Sequence, residues 1–183
     1  MNKMFLAVCC AFLFWGQSVK AENKYVPYIG VDASYSRAKT SHTSPKYGGA
    51  YINLGTTYNT YFGTEIFYHQ TFSNAKQINA NDKYKTSYRA YGLDAIATLH
   101  VHSKFDLAAS LGLATYVLSE KKTNMTHATD EGIGYRFGVG AVYHLTSRID
   151  IRANARYVKT DHISNLKHLG EYTFGMRYFF GKD

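Results

Sequence analysis

Gly132-Ile133-Gly134-Tyr135-Arg136-Phe137-Gly138-Val139-Gly140-Ala141-Val142-Tyr143-His144-Leu145 separates cleanly when read two residues at a time. One parity is Ile133, Tyr135, Phe137, Val139, Ala141, Tyr143 and Leu145. The other is Gly132, Gly134, Arg136, Gly138, Gly140, Val142 and His144. A helix would mix the two sets around its axis, whereas a strand sends them to opposite faces. The stretch is therefore a strand with one greasy face and one face of glycine and charge.

The same split recurs near the C-terminus. Tyr172, Phe174, Met176, Tyr178 and Phe180 share one face, and Thr173, Gly175, Arg177 and Phe179 the other. Working outward, alternating segments fall at 25–37, 47–57, 61–72, 86–101, 105–118 and 149–160, which makes eight strands in all. Short links lie at Tyr58 to Thr60, His102 to Lys104 and Thr146 to Arg148. Long polar ones lie at Ala38 to Lys46, Ser73 to Lys85, Ser119 to Glu131 and Asp161 to Gly170.

Short turns at one end and long loops at the other are the asymmetry of an outer-membrane barrel. An even strand count puts both termini on the short-turn side, the periplasm, so that four basic loops of about ten residues face outward. No proline follows Pro45, and glycine sits mainly on the inner parity, where a narrow barrel has least room. A soluble sandwich would also alternate. Against it stand an apolar face rich in Tyr and Phe, 28 of the 183 residues, as aromatic girdles require, and charges in mid-strand on the opposite face.

The N-terminus reads as an export signal: Lys3, then the apolar run Met4 to Trp15, then Val19-Lys20-Ala21 with a cut after Ala21. Twelve apolar residues fall short of the ~20 that a spanning helix needs, and nothing later in the chain reaches that length. A lipoprotein signal using Cys9 or Cys10 is the rival reading, but Val8 is a poor residue before such a cut, which would also fall inside the apolar run. The expected organisation is a signal peptide over 1–21 and one barrel domain over 22–183. Both cysteines leave with the signal, so no disulfide framework is expected.

Removing Lys3 and Lys20 from the 21 basic residues leaves 19 against 13 acidic ones, a net charge of +6. A basic chain suits an anionic partner, but the cations are scattered rather than gathered with aromatics, which excludes a nucleic-acid surface.

At this level the sequence resembles the small outer-membrane β-barrel superfamily that includes the OmpA transmembrane domain, OmpX and the opacity-type surface proteins. Its most specific element is the last strand, Thr173-Phe174-Gly175-Met176-Arg177-Tyr178-Phe179-Phe180. This is similar to the C-terminal signal read by the barrel-assembly machinery, with Gly175 followed by Met176, Tyr178 and Phe180. Here Gly181-Lys182-Asp183 follow the aromatic that often ends such chains. The resemblance implies an all-β, eight-stranded antiparallel up-and-down transmembrane barrel in the bacterial outer membrane. It also implies that the peptidoglycan-binding domain that follows the barrel in full OmpA-like proteins is missing.

The inner parity contains Asp32, Glu65, Asp94, Asp150, Arg136, Arg152, Arg156 and Arg177, four acids balanced by four arginines. Glu65, Asp94, Arg152 and Arg177 lie at similar depth and are expected to meet as one paired cluster, because a lone buried charge costs several kcal/mol. Paired, they plug the lumen. Arranged as a gate, with Arg136 and Arg156 supplying positive potential higher up, they would line a narrow ion path, the channel or porin alternative.

A third alternative is an enzyme acting on lipid A, which needs a Ser activated by a His that an acid orients. His69 with Ser36 or Ser87 is available, but nothing in the sequence fixes them as a set, and His144-Leu145-Thr146-Ser147 lies at the periplasmic end. No catalytic residues are assigned. His42, His127, His162 and His168 fall in the loops without ligand spacing, so no metal and no cofactor is expected. Lys39, Lys46, Lys76, Lys83, Lys121, Lys122 and Lys167 lie where lipopolysaccharide phosphates would sit. The expected role is a non-enzymatic surface barrel serving membrane integrity or adhesion through its loops. Its partners would be membrane lipid, lipopolysaccharide and an unidentified surface ligand.

Overall fold

The computed structural model describes residues 25–39, 45–72, 74–79, 82–122, 128–161 and 168–181. The strands are β1 (Val26–Lys39), β2 (Lys46–Thr57), β3 (Phe62–Thr71), β4 (Asn74–Asn79), β5 (Asp82–His102), β6 (Phe105–Lys122), β7 (Ala128–His144), β8 (Ile149–Asp161) and β9 (His168–Phe179). Each pairs antiparallel with its chain neighbour except β3 and β4, which both pair with β5, and the contact of β1 with β9 closes the ring.

Nine elements make eight staves. β3 faces Arg89 to Ala97 of β5, and β4 faces Asp82 to Thr86 of the same strand, so the two are one stave broken around Phe72. The Phe72 amide donates to the Gly48 carbonyl, the last bond of this stave to β2. Beyond it β4 follows β5 alone. The fold is a closed, eight-stranded antiparallel barrel.

The strand interiors fall where alternation places them, but two of the four expected long loops are mostly strand. Asn74–Asn79 and the start of β5 form a hairpin within 73–85, and β6 and β7 run on to Lys122 and from Ala128 within 119–131. The sequence of these stretches carries no hydrophobic alternation, so backbone pairing continues without any period to reveal it. The result is a wall taller on the β4 to β7 side than on the β1 to β3 side.

The packing is inverted relative to a soluble domain. Val139, Phe174 and Phe137 are 66%, 63% and 51% exposed on the outside, while Arg136, Asp150 and Glu171 are 1%, 0% and 0% exposed within. Each large apolar side chain left in water forgoes roughly 1.5–3 kcal/mol, so this outer surface is built for lipid. Ring closure pairs the backbone all round, which a bilayer demands because it offers no hydrogen-bonding partners. Among the described residues no helix is long and apolar enough to cross a membrane; strands make the crossing.

Small residues let the lumen fill. A Cβ on Gly55 would lie 2.3 Å from the Tyr28 ring, and one on Gly134 would lie 2.6 Å from the Tyr116 ring. Both tyrosines lie across the space these glycines leave. Toward the long-loop end Tyr47, Tyr88, Ala90, Val158 and Leu169 form a buried apolar cluster, and toward the short-turn end Tyr28 packs on Val26 and Phe179.

Candidate functional site: the charged lumen and its two ends

Between these clusters the interior is a stack of ion pairs. Arg152, on β8, reaches across the barrel to β1 and β3. Its Nε and Nη2 donate to Asp32 Oδ1 and Oδ2 at 2.9 and 2.8 Å, and its Nη1 donates to Glu65 Oε2 at 2.5 Å. Asn53 adds a 2.8 Å bond to Asp32, and the Tyr28 hydroxyl donates to Glu65 at 3.0 Å. One planar fork thus pairs with two carboxylates, bidentate to Asp32, the geometry in which charge-assisted bonds are strongest.

A second knot lies nearer the long-loop end. Arg136 donates to both oxygens of Asp94 at 3.1 and 3.2 Å and to the Tyr116 hydroxyl at 3.0 Å, with its Nη1 3.5 Å from Glu171. Its guanidinium sits 3.8 Å from the Phe67 ring centroid. Arg156 Nε lies 3.8 Å from Asp94. Glu171 accepts from the hydroxyls of Tyr51, Tyr88 and Tyr116 at 2.6, 3.3 and 3.4 Å. At the short-turn end Arg177 binds Asp150, Nε at 3.0 Å and Nη2 at 2.9 Å.

All eight charges expected inside are buried there, but they do not gather as one cluster of Glu65, Asp94, Arg152 and Arg177. Glu65 goes to Arg152, Asp94 to Arg136 and Arg156, and Arg177 to Asp150. Barrel stagger is the reason: counting from strand ends ignores the shear that displaces neighbouring strands along the axis. Nor do Arg136 and Arg156 stand free as a positive gate, since Asp94 holds both.

Two further acids are buried inside. Glu171 shares the parity of Thr173 and Arg177, and β9 begins before Tyr172, at His168. Asp106 shares the inward side of β6 and lies beside a turn. His100 and His144, at the same end, both contact it. The signal that finds Asp106 is the repeated His-to-Asp spacing of His100 to Asp106 and His144 to Asp150 across two short hairpins.

The Ser and His question has a definite geometry. His69 Nε2 lies 2.9 Å from the Ser34 hydroxyl, rather than near Ser36 or Ser87; Ser36 accepts from Tyr88 instead, at 2.6 Å. Glu171 lies 3.9 Å from His69 Nδ1, too long for an orienting hydrogen bond, and its oxygens are taken by three tyrosines. Tyr51 stacks on the imidazole at 3.9 Å, and His69 is fully buried. In this arrangement the set is part of the packing.

Of the loop histidines, His168 bonds the Tyr157 hydroxyl at 2.7 Å; His42, His127 and His162 lie outside the described residues. Among the lysines Lys46 is exposed at the start of β2. Lys167 and the side chains of Lys39, Lys76, Lys83, Lys121 and Lys122 also lie outside the described residues, as does the expected signal peptide over 1–21. Met176 and Tyr178 on β9 and Phe180 just past its end face outward. Gly175 faces the β1 backbone so closely that a Cβ would fall 2.1 Å from the Val31 carbonyl oxygen.

Residues 6–180 match the family described as the outer membrane protein beta-barrel domain. Comparison with curated protein sequences finds no match. Among solved structures the chain is similar to Neisserial surface protein A, with a TM-score of 0.72 and 20% sequence identity over 84% of this chain and 97% of that one. It is similar to Ail, the attachment invasion locus protein of Yersinia pestis, in complex with the heparin analogue sucrose octasulfate. Here the TM-score is 0.65 and the identity 15%, over 86% of this chain and 99% of that one. OprG from Pseudomonas aeruginosa follows at a TM-score of 0.56 and 13% identity, over 86% and 97%. At such identities the likeness is one of fold.

Proposed function

We infer the role of this protein from its family: the chain belongs to the outer membrane protein beta-barrel domain family, which places it in the bacterial outer membrane, and we propose that it acts there as a surface protein through its long-loop end. The observation that carries this reading is the filled lumen. With Arg152 and Arg136 each spanning the interior to bind two carboxylates, an eight-stranded barrel has no room left for a solute. Activity then moves to the wall and the loops.

In this reading the signal is removed after Ala21, both ends of the mature chain lie in the periplasm, and the lysine-bearing loops meet the outer leaflet. Lysines at that height attract phosphate and sulfate groups, so lipopolysaccharide is the first partner and a polyanionic host surface the second. The complex of Ail with a heparin analogue supports a polyanion as the class of ligand. The barrel contributes a rigid mount that strengthens the membrane and holds the loops outward.

Two measurements test it together. Purified protein in planar bilayers is expected to give no large, steady current, and cells displaying it are expected to bind heparin-coated surfaces less when the loop lysines become glutamine. A steady conductance would replace this reading with the channel. Unchanged binding by cells lacking the gene would remove the adhesive role.

A further inference from the structure

The two hairpins that turn between β5 and β6 and between β7 and β8 carry the same pattern. His100-Val101-His102-Ser103-Lys104-Phe105-Asp106 makes the first, and His144-Leu145-Thr146-Ser147-Arg148-Ile149-Asp150 makes the second. In each, the leading His and the closing Asp face one another across the ladder. Because β6 and β7 are neighbours, the two pairs meet. His144 Nε2 lies 2.8 Å from Asp106 Oδ2 and its Nδ1 2.7 Å from Asp150 Oδ1, while His100 Nδ1 lies 2.5 Å from Asp106 Oδ1. One ligand atom from each of His100, Asp106 and His144 falls within 4.8 Å of the others.

The charges around this cluster do not balance. Asp106 is 1% exposed, and its ion-pair partners among the described residues are both histidines. Across the buried interior six carboxylates, Asp32, Glu65, Asp94, Asp106, Asp150 and Glu171, face the four guanidiniums of Arg136, Arg152, Arg156 and Arg177. Among the described residues, six against four leaves two negative charges in excess when the histidines are neutral, one shared by Asp32 and Glu65 around Arg152 and one on Asp106. A neutral imidazole has one N–H. If His144 gives it to Asp150, its Nε2 lone pair points at an Asp106 oxygen, and something positive must lie between them.

We propose that His100, Asp106 and His144 bind one divalent transition-metal ion of the zinc type at the short-turn mouth of the barrel. Two imidazoles and a carboxylate are a ligand set suited to zinc. Tetrahedral bonds of about 2.0–2.1 Å put ligand atoms roughly 3.3 Å apart; the histidines contact different oxygens of Asp106 at 2.5 and 2.8 Å, so those contacts lengthen by less than an ångström and ligand atoms now within 4.8 Å of one another draw in around the ion. With Nε2 on the metal, His144 donates its one N–H, on Nδ1, to Asp150, which is itself fixed by Arg177, the outer support that metal-bound histidines commonly have. A recess of about 710 Å³ lined by both turns provides the entry and the open fourth position. His100 and His144 side chains, 42% and 21% exposed, sit at its wall. A cation there offsets the charge of Asp106, which no arginine meets among the ion pairs of the described residues, and ties the two hairpins together.

The test uses the tag-free chain refolded in detergent and stripped with a chelator, titrated with Zn²⁺ by calorimetry and with Co²⁺ by visible absorption. One equivalent is expected, with a tetrahedral cobalt band. His100→Ala is expected to weaken binding at least about tenfold, and Asp150→Asn by about 10–100-fold. Replacing His42, His127, His162 and His168 together is expected to change nothing. Heat-modifiable gel mobility checks that each variant is folded; His100, the most exposed ligand, is the variant on which the decision rests. Failure of the wild-type barrel to bind one equivalent, or unchanged affinity in folded His100→Ala, would overturn the proposal and leave protonated histidines as the balancing charges.

Discussion

Arg152 shows what a single side chain contributes when the interior is polar. Its guanidinium is the only cation in contact with both Asp32 and Glu65 among the ion pairs of the described residues. Removing it leaves two buried carboxylates unpaired. Arg152→Ala is therefore expected to lose about 3–5 kcal/mol in urea unfolding from lipid vesicles, and adding Asp32→Asn and Glu65→Gln should restore part of that loss. Equal stability of the single variant would mean that water, not Arg152, neutralises the pair. The identity of these buried charges was legible from parity alone, because every second residue of a strand points inward. Their partners were not legible. Partner choice depends on stagger around the barrel, and it is carried by side chains as long as arginine that reach from β8 to β1 and β3.

At the level of the strand, β7 shows how the membrane writes itself into the sequence. Tyr135 and Tyr143, both 44% exposed, bracket Phe137, Val139 and Ala141. Eight residues at ~3.3 Å each span about 26 Å along the strand, or roughly 20 Å of bilayer depth at a tilt of ~40°. Val139 lies midway. Val139→Arg is expected to cost about 2–4 kcal/mol in folding into vesicles, whereas the same substitution at Tyr135 should cost about 0–1 kcal/mol. Equal costs at the two positions would remove the depth assignment. This strand could be read from the sequence because lipid on one side and a packed lumen on the other impose opposite chemistries. The hairpin of β4 and the start of β5 could not, since Asn74–Asn79 and Asp82–Lys85 pair their backbones with no alternation of apolar residues in their sequence. Asp106 and Glu171 were lost for a related reason: each sits close to a strand end, where alternation is short of residues to establish itself.

For the molecule as a whole, an apolar exterior around a paired interior predicts two behaviours. The protein should require detergent or lipid to stay dispersed, and it should migrate differently in gels before and after boiling. A soluble, unshifted chain would contradict the membrane barrel. The pairing that completes the wall joins β1 to β9, with Val31 opposite Met176, residues that enter the world at opposite ends of synthesis. Neither edge of the sheet can be capped until the whole chain has been made and exported. The half-built barrel must travel with its greasy surface and raw hydrogen-bonding edges unprotected, so survival in transit, more than stability on arrival, is where this fold depends on escorts.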